Sequence, residues 1–534
     1  MTAKRETGDA AGRHIMADQS AAERFLAAPE THGGAPVQRF NTHAAMVFVA
    51  GGRAYKIKRA VRYPYLDFST LELRRATLDK ELQINRRTAP ALYLAVRPLL
   101  RGKDGALHLG GESEATSEGD LVEWVLVMRA FDQAGLFDHL AESGGLTPAL
   151  LTELADAIRR FHESAEPVGR DGVTRGGASG MRATVEENDQ DFAEHPGLFP
   201  PKRARGLSAA SQAAIERNAA LLEERWDRGL VRHCHGDLHL RNICLIEGRP
   251  TLFDAIEFND AIACIDVLYD LAFLLMDLDE RGRRPAANLV LNRYLRDGAE
   301  LEALAALPLF LSVRAAIRAK VAAAAQAGQN DRDALERLTA EARAYFAAAE
   351  TYLAPPPPRL VAVGGLSGSG KSTLARAVAP DLGAAPGAIV LRSDVTRKTL
   401  YGLADEATLP QAAYGPEVSD RVYELLLQRA RVLLRAGHGV VLDAVYAKPA
   451  ERAAAEALAA DLAVPFAGLW LDAGLETLVR RTAARYGDAS DSTPDVVRAQ
   501  AERDLGPMTW QRLDADRAPE TVADDARRCL TAAA

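Results

Sequence analysis

A chain of 534 residues is too long for a single hydrophobic core, so two or three domains are expected. Hydrophobic residues make up 48% and charged residues 26%, ordinary for a globular protein, and a net charge of −8 excludes the basic footprint of general nucleic-acid binding. Four cysteines without a C-x-x-C pair, no signal-peptide h-region and no bilayer-length apolar run predict a cytoplasmic protein with no membrane partner.

The first 35 residues are polar and read as a loose segment. From Ala45, the alternating runs AMVFVA and RAYKIKRA flank Gly51-Gly52, which predicts a hairpin. A helix should follow over LDFSTLELRRATLDKELQINRR, then the strands YLAVRPLL and LVEWVLVMRAF, then mostly helices from Pro148. That order predicts a small β-rich lobe and a helical lobe. Residues 169–206, rich in Gly, Pro, Arg and acidic side chains, read as a loop excursion. Residues 286–352 are alanine-rich and helical, and they end at Pro355-Pro356-Pro357-Pro358, a semi-rigid spacer. The domain boundary is placed there, giving one domain over 36–353 and another over 359–534. Beyond it, LVAVGGL, AIVLRSD, GVVLDAV and FAGLWLDA are short apolar runs separated by amphipathic helices, the pattern of a parallel sheet covered on both faces.

The first chemical motif is His235-Gly-Asp237-Leu-His239-Leu-Arg-Asn242, with the H-x-D-x-x-x-x-N spacing of a kinase catalytic loop. An aspartate there, Asp237, orients or deprotonates an acceptor hydroxyl, and Asn242 turns back to a metal. Asp254, ending the apolar run in PTLFDAIEF, is placed as the second metal-binding carboxylate. His233, Cys234, His235 and His239 are packed too tightly for any common metal-ligand spacing. HGDLHLRN and the FD that follows resemble the motifs of aminoglycoside phosphotransferases and choline-kinase-like enzymes. The resemblance implies an α+β, protein-kinase-like two-lobed domain, with Asp266 and Asp270 in a structural helix after the metal strand. It also makes Lys56 of Ala54-Tyr55-Lys56 the lysine on the ATP α/β-phosphates, with Lys58 as the alternative. Glu81 is its candidate ion-pair partner (Glu72 the alternative), and LVEWVLVMRAF would be the hinge at adenine.

The second motif, Gly365-Leu-Ser367-Gly368-Ser369-Gly370-Lys371-Ser372, fits G-x-x-x-x-G-K-[ST] and lies between a predicted strand and helix. Its backbone, continuing through Thr373, can curl around phosphates, Lys371 can reach the β/γ-phosphates, and Ser372 can ligate Mg²⁺. Asp394, at the tip of the next strand, is placed as a base for an acceptor hydroxyl, and Arg397 as a clamp on an anionic acceptor. Asp443 occupies a Walker-B-like position for Mg²⁺. Arg481 and Arg485, four apart on a predicted helix, share a face suited to a lid over a transferring phosphoryl group. From about Arg359 the chain resembles P-loop small-molecule and polynucleotide kinases, including gluconate-kinase-like and zeta-toxin-like members, so an α/β P-loop NTPase fold is implied. The whole resembles bacterial fusions of an aminoglycoside-phosphotransferase-like domain with a P-loop kinase. The expectation is a bifunctional Mg-ATP kinase acting on small-molecule hydroxyls. Two alternatives stand beside it: a P-loop ATP sensor gating a single kinase, and a C-terminal polynucleotide 5′-kinase.

Overall fold

The computed structural model describes residues 14–532 except 43, 64–65, 112–119, 173, 297, 299, 328, 406 and 485–489. The chain divides into two compact units, Met1–Asp277 with Val313–Ala347, and Leu278–Ser312 with Ala348–Ala534.

In the first unit, helix α1 (Ser20–Ala27) precedes strands β1 (Gln38–Asn41), β2 (Ala45–Ala50) and β3 (Arg53–Lys58). Helix α2 (Leu71–Asn85), strands β4 (Tyr93–Arg101) and β5 (Leu107–Leu109), and strand β6 (Asp120–Arg129) complete the lobe. The antiparallel sheet has the order β1-β2-β3-β6-β4-β5, with β2 and β3 joined through Gly51-Gly52 as expected. The segment expected to be loose is anchored from Ser20 onward. Ala22 and Leu26, four apart on one helix face, are buried with Met46, Phe48, Ile57, Leu99, Val125 and Val127. On another face of the sheet, Leu78 of α2 packs with Leu92, Tyr93, Trp124 and Leu126.

The helical lobe begins with α3 (Pro148–Ser164), whose Thr147 side chain caps the Leu150 N–H. The expected excursion at 169–206 is instead mostly helix. Helices α4 (Gly177–Glu194) and α5 (Pro201–Asp227) pack against each other. The polar composition hid a buried face of Ala178, Met181, Val185, Asn188 and Phe192, spaced at three to four residues. A hairpin of β7 (Ile243–Ile246) and β8 (Arg249–Leu252) and helix α6 (Val267–Glu280) follow.

The chain then supplies α7 (Arg284–Tyr294), α8 (Leu307–Ala324) and α9 (Arg332–Tyr352). In the second unit, β9 (Leu360–Gly365), α10 (Lys371–Val378), β10 (Ile389–Arg392), α11 (Ser393–Leu400) and α12 (Pro416–Arg435) come first. Then come β11 (Val440–Asp443), β12 (Phe466–Asp472), α13 (Leu475–Ala483), α14 (Pro494–Ala501), β13 (Gln511–Asp514) and α15 (Pro519–Ala532). All five strands are parallel, in the order β10-β11-β9-β12-β13. Helices α10 and α15 bury Leu374, Val378, Ala526 and Leu530 against Val361, Val363 and Leu471 of the sheet.

The boundary expected at the proline run is only part of the division, because residues 278–312 belong to the second unit. The reason is the sheet edge. Strand β10 lies at the margin, where unpaired backbone groups need partners. Helix α7 supplies them: Asn292 Oδ1 accepts from the Val390 N–H at 2.7 Å and Asn288 Nδ2 donates to the Ala388 carbonyl at 3.0 Å. His438 Nε2 donates to the Leu304 carbonyl at 2.9 Å in the same unit.

Candidate active sites

In the first unit, Lys56 and Lys58 project from one face of β3, since residues two apart on a strand share a side. Both lysines reach Glu81 of α2, which is completely buried: Lys56 Nζ lies 2.7 Å from Oε1 and Lys58 Nζ 2.6 Å from Oε2. Lys56 also bonds Asp254 at 2.8 Å, and Lys58 bonds Glu257 at 2.6 Å. Five charges therefore form one network. Burial disfavours the charged form of each lysine, yet Asp254 and Glu81 carry Lys56 well above its ordinary range, and Glu81 and Glu257 raise Lys58. Burial pushes the Glu257 carboxyl up, with Lys58 offsetting only part of it. Glu257 went unnoticed in the sequence, although FDAIEF places it three residues past Asp254.

Asp254 has a left-handed backbone (φ 59°), which Asp tolerates better than most residues. Two side chains hold the turn: the Asp254 N–H donates to the Tyr93 hydroxyl at 3.1 Å, and the Ala255 N–H to Asn85 Oδ1 at 2.8 Å. His235 Nε2 donates to the Phe253 carbonyl at 2.9 Å, which fixes its tautomer, and burial lowers its pKa so that the ring stays neutral.

The HGDLHLRN loop is shaped from beneath. Asp270 accepts the backbone N–H groups of His235 (3.1 Å) and Gly236 (2.9 Å) and the His162 Nε2–H (3.2 Å). Arg314 donates to the Gly236 carbonyl at 3.2 Å. Gly236 has φ 82°, which strains any other residue, and a Cβ there would lie 3.3 Å from the Ala263 Cα, a tight approach. Asp266 is held by the buried Arg225 through bonds of 2.6 and 2.8 Å. Both aspartates of CIDVLYDLAF thus hold structure, as expected. His162, Cys234 and Asp270 approach metal-ligand spacing, but Asp270 already accepts three hydrogen bonds and burial keeps the Cys234 thiol protonated.

Above this support, Asn242 Nδ2 donates to the Asp237 carbonyl and to its Oδ2, both at 2.9 Å. The amide oxygen is what Asn242 has left to offer a cation. His239 Nε2 lies 3.3 Å from Asp237 Oδ2. Burial opposes ionisation of Asp237, but His239, through its charge and a hydrogen bond, outweighs it with help from Arg318 and holds the carboxyl well below the usual range. Asn242, Asp237 and Asp254 offer hard oxygen donors, the ligand chemistry of Mg²⁺.

In the second unit, the loop from Gly365 to Gly370 joins β9 to α10, and Gly370 (φ 93°) caps that helix. Gly368 has φ 86°, and a Cβ would sit 2.6 Å from the Leu478 carbonyl of α13, so only glycine fits this crossing. Ser372 Oγ donates to Asp443 Oδ2 at 2.5 Å, and Arg392 Nε reaches the same oxygen at 3.2 Å. Lys371 Nζ folds back onto the Leu366 carbonyl at 3.0 Å. Ser369 Oγ is buried without a partner, and Thr373 lies in the first turn of α10. Burial, then the neighbouring Asp443 carboxylate, raises the Asp394 pKa against Arg392, Lys371 and a hydrogen bond from Ser490.

The segment around α14 closes on the loop in a way no sequence signal indicated. The Ser367 N–H donates to Gln500 Oε1 at 2.9 Å, and Ser367 Oγ lies 2.9 Å from Ser492 Oγ. The arginines do not take their expected places. Arg397 is buried and donates to the Ala413 carbonyl at 2.6 Å, beneath the Tyr414 ring. Arg481 donates to the Ala515 carbonyl at 2.8 Å, satisfying the end of β13 instead of covering phosphate. Arg485 lies outside the described residues.

Two unlike folds, each with its own lysine and cluster of carboxylates, define a chain that joins a kinase-like phosphotransferase domain to a P-loop kinase domain. The Phosphotransferase enzyme family matches residues 68–307, and the AAA domain family matches residues 360–507. Mb2027c of Mycobacterium bovis and Rv2004c of Mycobacterium tuberculosis are each 30% identical over 478 residues, 89% of this chain and 91% of the relative. The chain belongs to their family. Among solved structures, a choline/ethanolamine kinase family protein from Mesorhizobium loti is 18% identical, with TM-score 0.36, over 63% of this chain and 95% of that one. The Mycobacterium tuberculosis APS kinase CysC is 24% identical, with TM-score 0.25, over 33% of this chain and 99% of that one. Kinase-type domains in both halves support a phosphotransferase. Among the described residues, no helix is long and apolar enough to cross a membrane.

Proposed function

We propose that the chain carries two Mg-ATP-dependent kinase sites, each transferring the γ-phosphoryl group to the hydroxyl of a small molecule. The observation that carries this reading is the convergence of two separate constellations, Lys56–Glu81–Asp254 beside Asp237–Asn242, and Lys371–Ser372–Asp443 beside Asp394. In the first, Lys56 holds phosphate oxygens, Asn242 and Asp254 hold the metal, and ionised Asp237 orients the acceptor hydroxyl. In the second, the loop amides and Lys371 hold phosphate, Ser372 and Asp443 hold the metal, and Asp394 takes the acceptor proton. Bound magnesium would neutralise charge on the phosphate oxygens, and the protein's own work is positioning, since phosphoryl transfer needs little covalent chemistry.

The test compares wild type, Asp237→Ala and Lys371→Ala, each given Mg-ATP and a mycobacterial metabolite extract. Mass spectrometry then seeks masses raised by one phosphate. Each variant is expected to lose a different product. Loss of one and the same product from both variants would show a single kinase served by an ATP-sensing partner domain.

A further inference from the structure

We infer that Tyr93 and Asn85 are positioning residues of the first site, fixing the two peptide planes on either side of Asp254 so that its carboxylate is held in one place for the metal of Mg-ATP. This rests on reading Asp254 as a metal ligand.

Asp254 sits in an unfavourable backbone state. Its left-handed φ of 59° crowds the Cβ against the following carbonyl, which residues with a side chain resist. Such a conformation persists only where the surroundings over-determine it. Here each residue from Phe253 to Glu257 is tied. The Phe253 carbonyl accepts from His235 Nε2 at 2.9 Å, the Ile256 N–H donates to the His235 carbonyl at 3.0 Å, and Glu257 takes Lys58 at 2.6 Å. Between those ties, two N–H groups flank the Asp254 Cα. Its own donates to the Tyr93 hydroxyl at 3.1 Å, and that of Ala255 donates to Asn85 Oδ1 at 2.8 Å. One bond fixes the peptide before Asp254 and the other the peptide after it, and together they set the direction of its Cα–Cβ bond.

Both side chains come from the β-rich lobe and both are buried. Asn85 ends α2, and its Nδ2 donates to the Glu81 carbonyl at 3.0 Å, which directs Oδ1 to Ala255. Glu81 and Asn85 are four apart on one helix face, so the turn of helix that anchors Lys56 also anchors the Asp254 turn. The backbone is thus fixed in the interior, while the Asp254 side chain is 45% exposed and gives one oxygen to Lys56 at 2.8 Å. Deleting the Asn85 amide leaves the N–H of the buried Ala255 without its acceptor. The peptide then relaxes toward an ordinary backbone conformation and turns the carboxylate with it. Ligands held by outer partners in this way lose about 10- to 100-fold in metal affinity when the partner is removed.

The experiment uses the full chain carrying Lys371→Ala, which removes the phosphate lysine of the second site. Mn²⁺ replaces Mg²⁺, and its binding in the presence of the non-hydrolysable analogue AMP-PNP is read by electron paramagnetic resonance. Asp254→Asn in the same background defines the part of the signal that Asp254 accounts for. Tyr93→Phe deletes one oxygen and keeps the ring, and Asn85→Ala deletes the amide. Each is expected to weaken Asp254-dependent Mn²⁺ binding about tenfold or more, with hydrogen exchange in α2 unchanged. Tyr93→Phe decides the matter if Asn85→Ala does not fold. Mn²⁺ binding unchanged in these variants but weakened by Asp254→Asn overturns the inference and leaves the metal site standing. Weakened binding together with faster exchange throughout α2 overturns it as well, since the two side chains would then hold the lobe and not Asp254. Mn²⁺ binding indifferent to Asp254→Asn overturns the reading of Asp254 as a metal ligand, and the inference with it.

Discussion

Replacing Lys58 by methionine separates the roles of the two lysines on β3. Lys58 bonds Glu81 and Glu257 at 2.6 Å each, and the three side chains are 4%, 0% and 7% exposed. Without Lys58, Glu257 loses the cation it pairs with and Glu81 keeps only Lys56. Breaking a buried pair by deleting one partner costs about 3–5 kcal/mol, because the surviving charge stays desolvated. Removing the second charge as well should relieve much of that, so Lys58→Met with Glu257→Gln should show a coupling of about 2–3 kcal/mol. Hydrogen exchange of the peptide spanning residues 71–85 reads the opening free energy of this lobe without interference from the other unit. Lys56→Met should behave differently. Its partner Asp254 is 45% exposed and Glu81 retains Lys58, so the lobe should lose little stability. Turnover at the first site should instead fall about 10²- to 10³-fold, the scale for losing one charge-stabilising donor. A coupling below about 0.5 kcal/mol, within ordinary additivity, would refute the claim that Lys58 and Glu257 act as one buried unit.

Two further outcomes follow from the same geometry. In the proposed function Asp237 and Asp394 each work deprotonated, so activity should fall as pH drops through the folded pKa of each. With Asp237 depressed and Asp394 raised, the acid limb of kcat/KM for the first site should lie at lower pH than that for the second, measured with Lys371→Ala and Asp237→Ala respectively. Coincident or reversed limbs would contradict that assignment. Gln500 occupies an N–H of the phosphate loop, so Gln500→Ala should tighten Mg-ATP binding about two- to tenfold by calorimetry, the net worth of one hydrogen bond. Weaker binding would mean that Gln500 serves the nucleotide instead of competing with it.

Much of the chemistry was legible in the sequence because it is local. The glycine loop of the second unit and the HGDLHLRN run carry their own spacing, and a strand of period two puts Lys56 and Lys58 on one face. Choosing between those lysines was not a local question. Both reach the same glutamate, and only the three-dimensional network shows that one of them is tied to Asp254 and the other to Glu257. The helical pair at 177–227 was hidden because its composition is polar even though its buried face is periodic. Arg397 and Arg481 looked available because sequence reveals a side chain's charge and not the backbone carbonyl waiting to take it. The division by contacts departs from the proline run for a related reason. The proline run is a visible spacer, but the need of an edge strand for backbone partners is visible only once the sheet is assembled, and residues 278–312 answer it from before the spacer. Motifs were readable because each is a short-range covalent pattern. Which charges are buried together, which cations are already bound and which segment closes the sheet depend on contacts between distant residues, and these the tertiary structure decided.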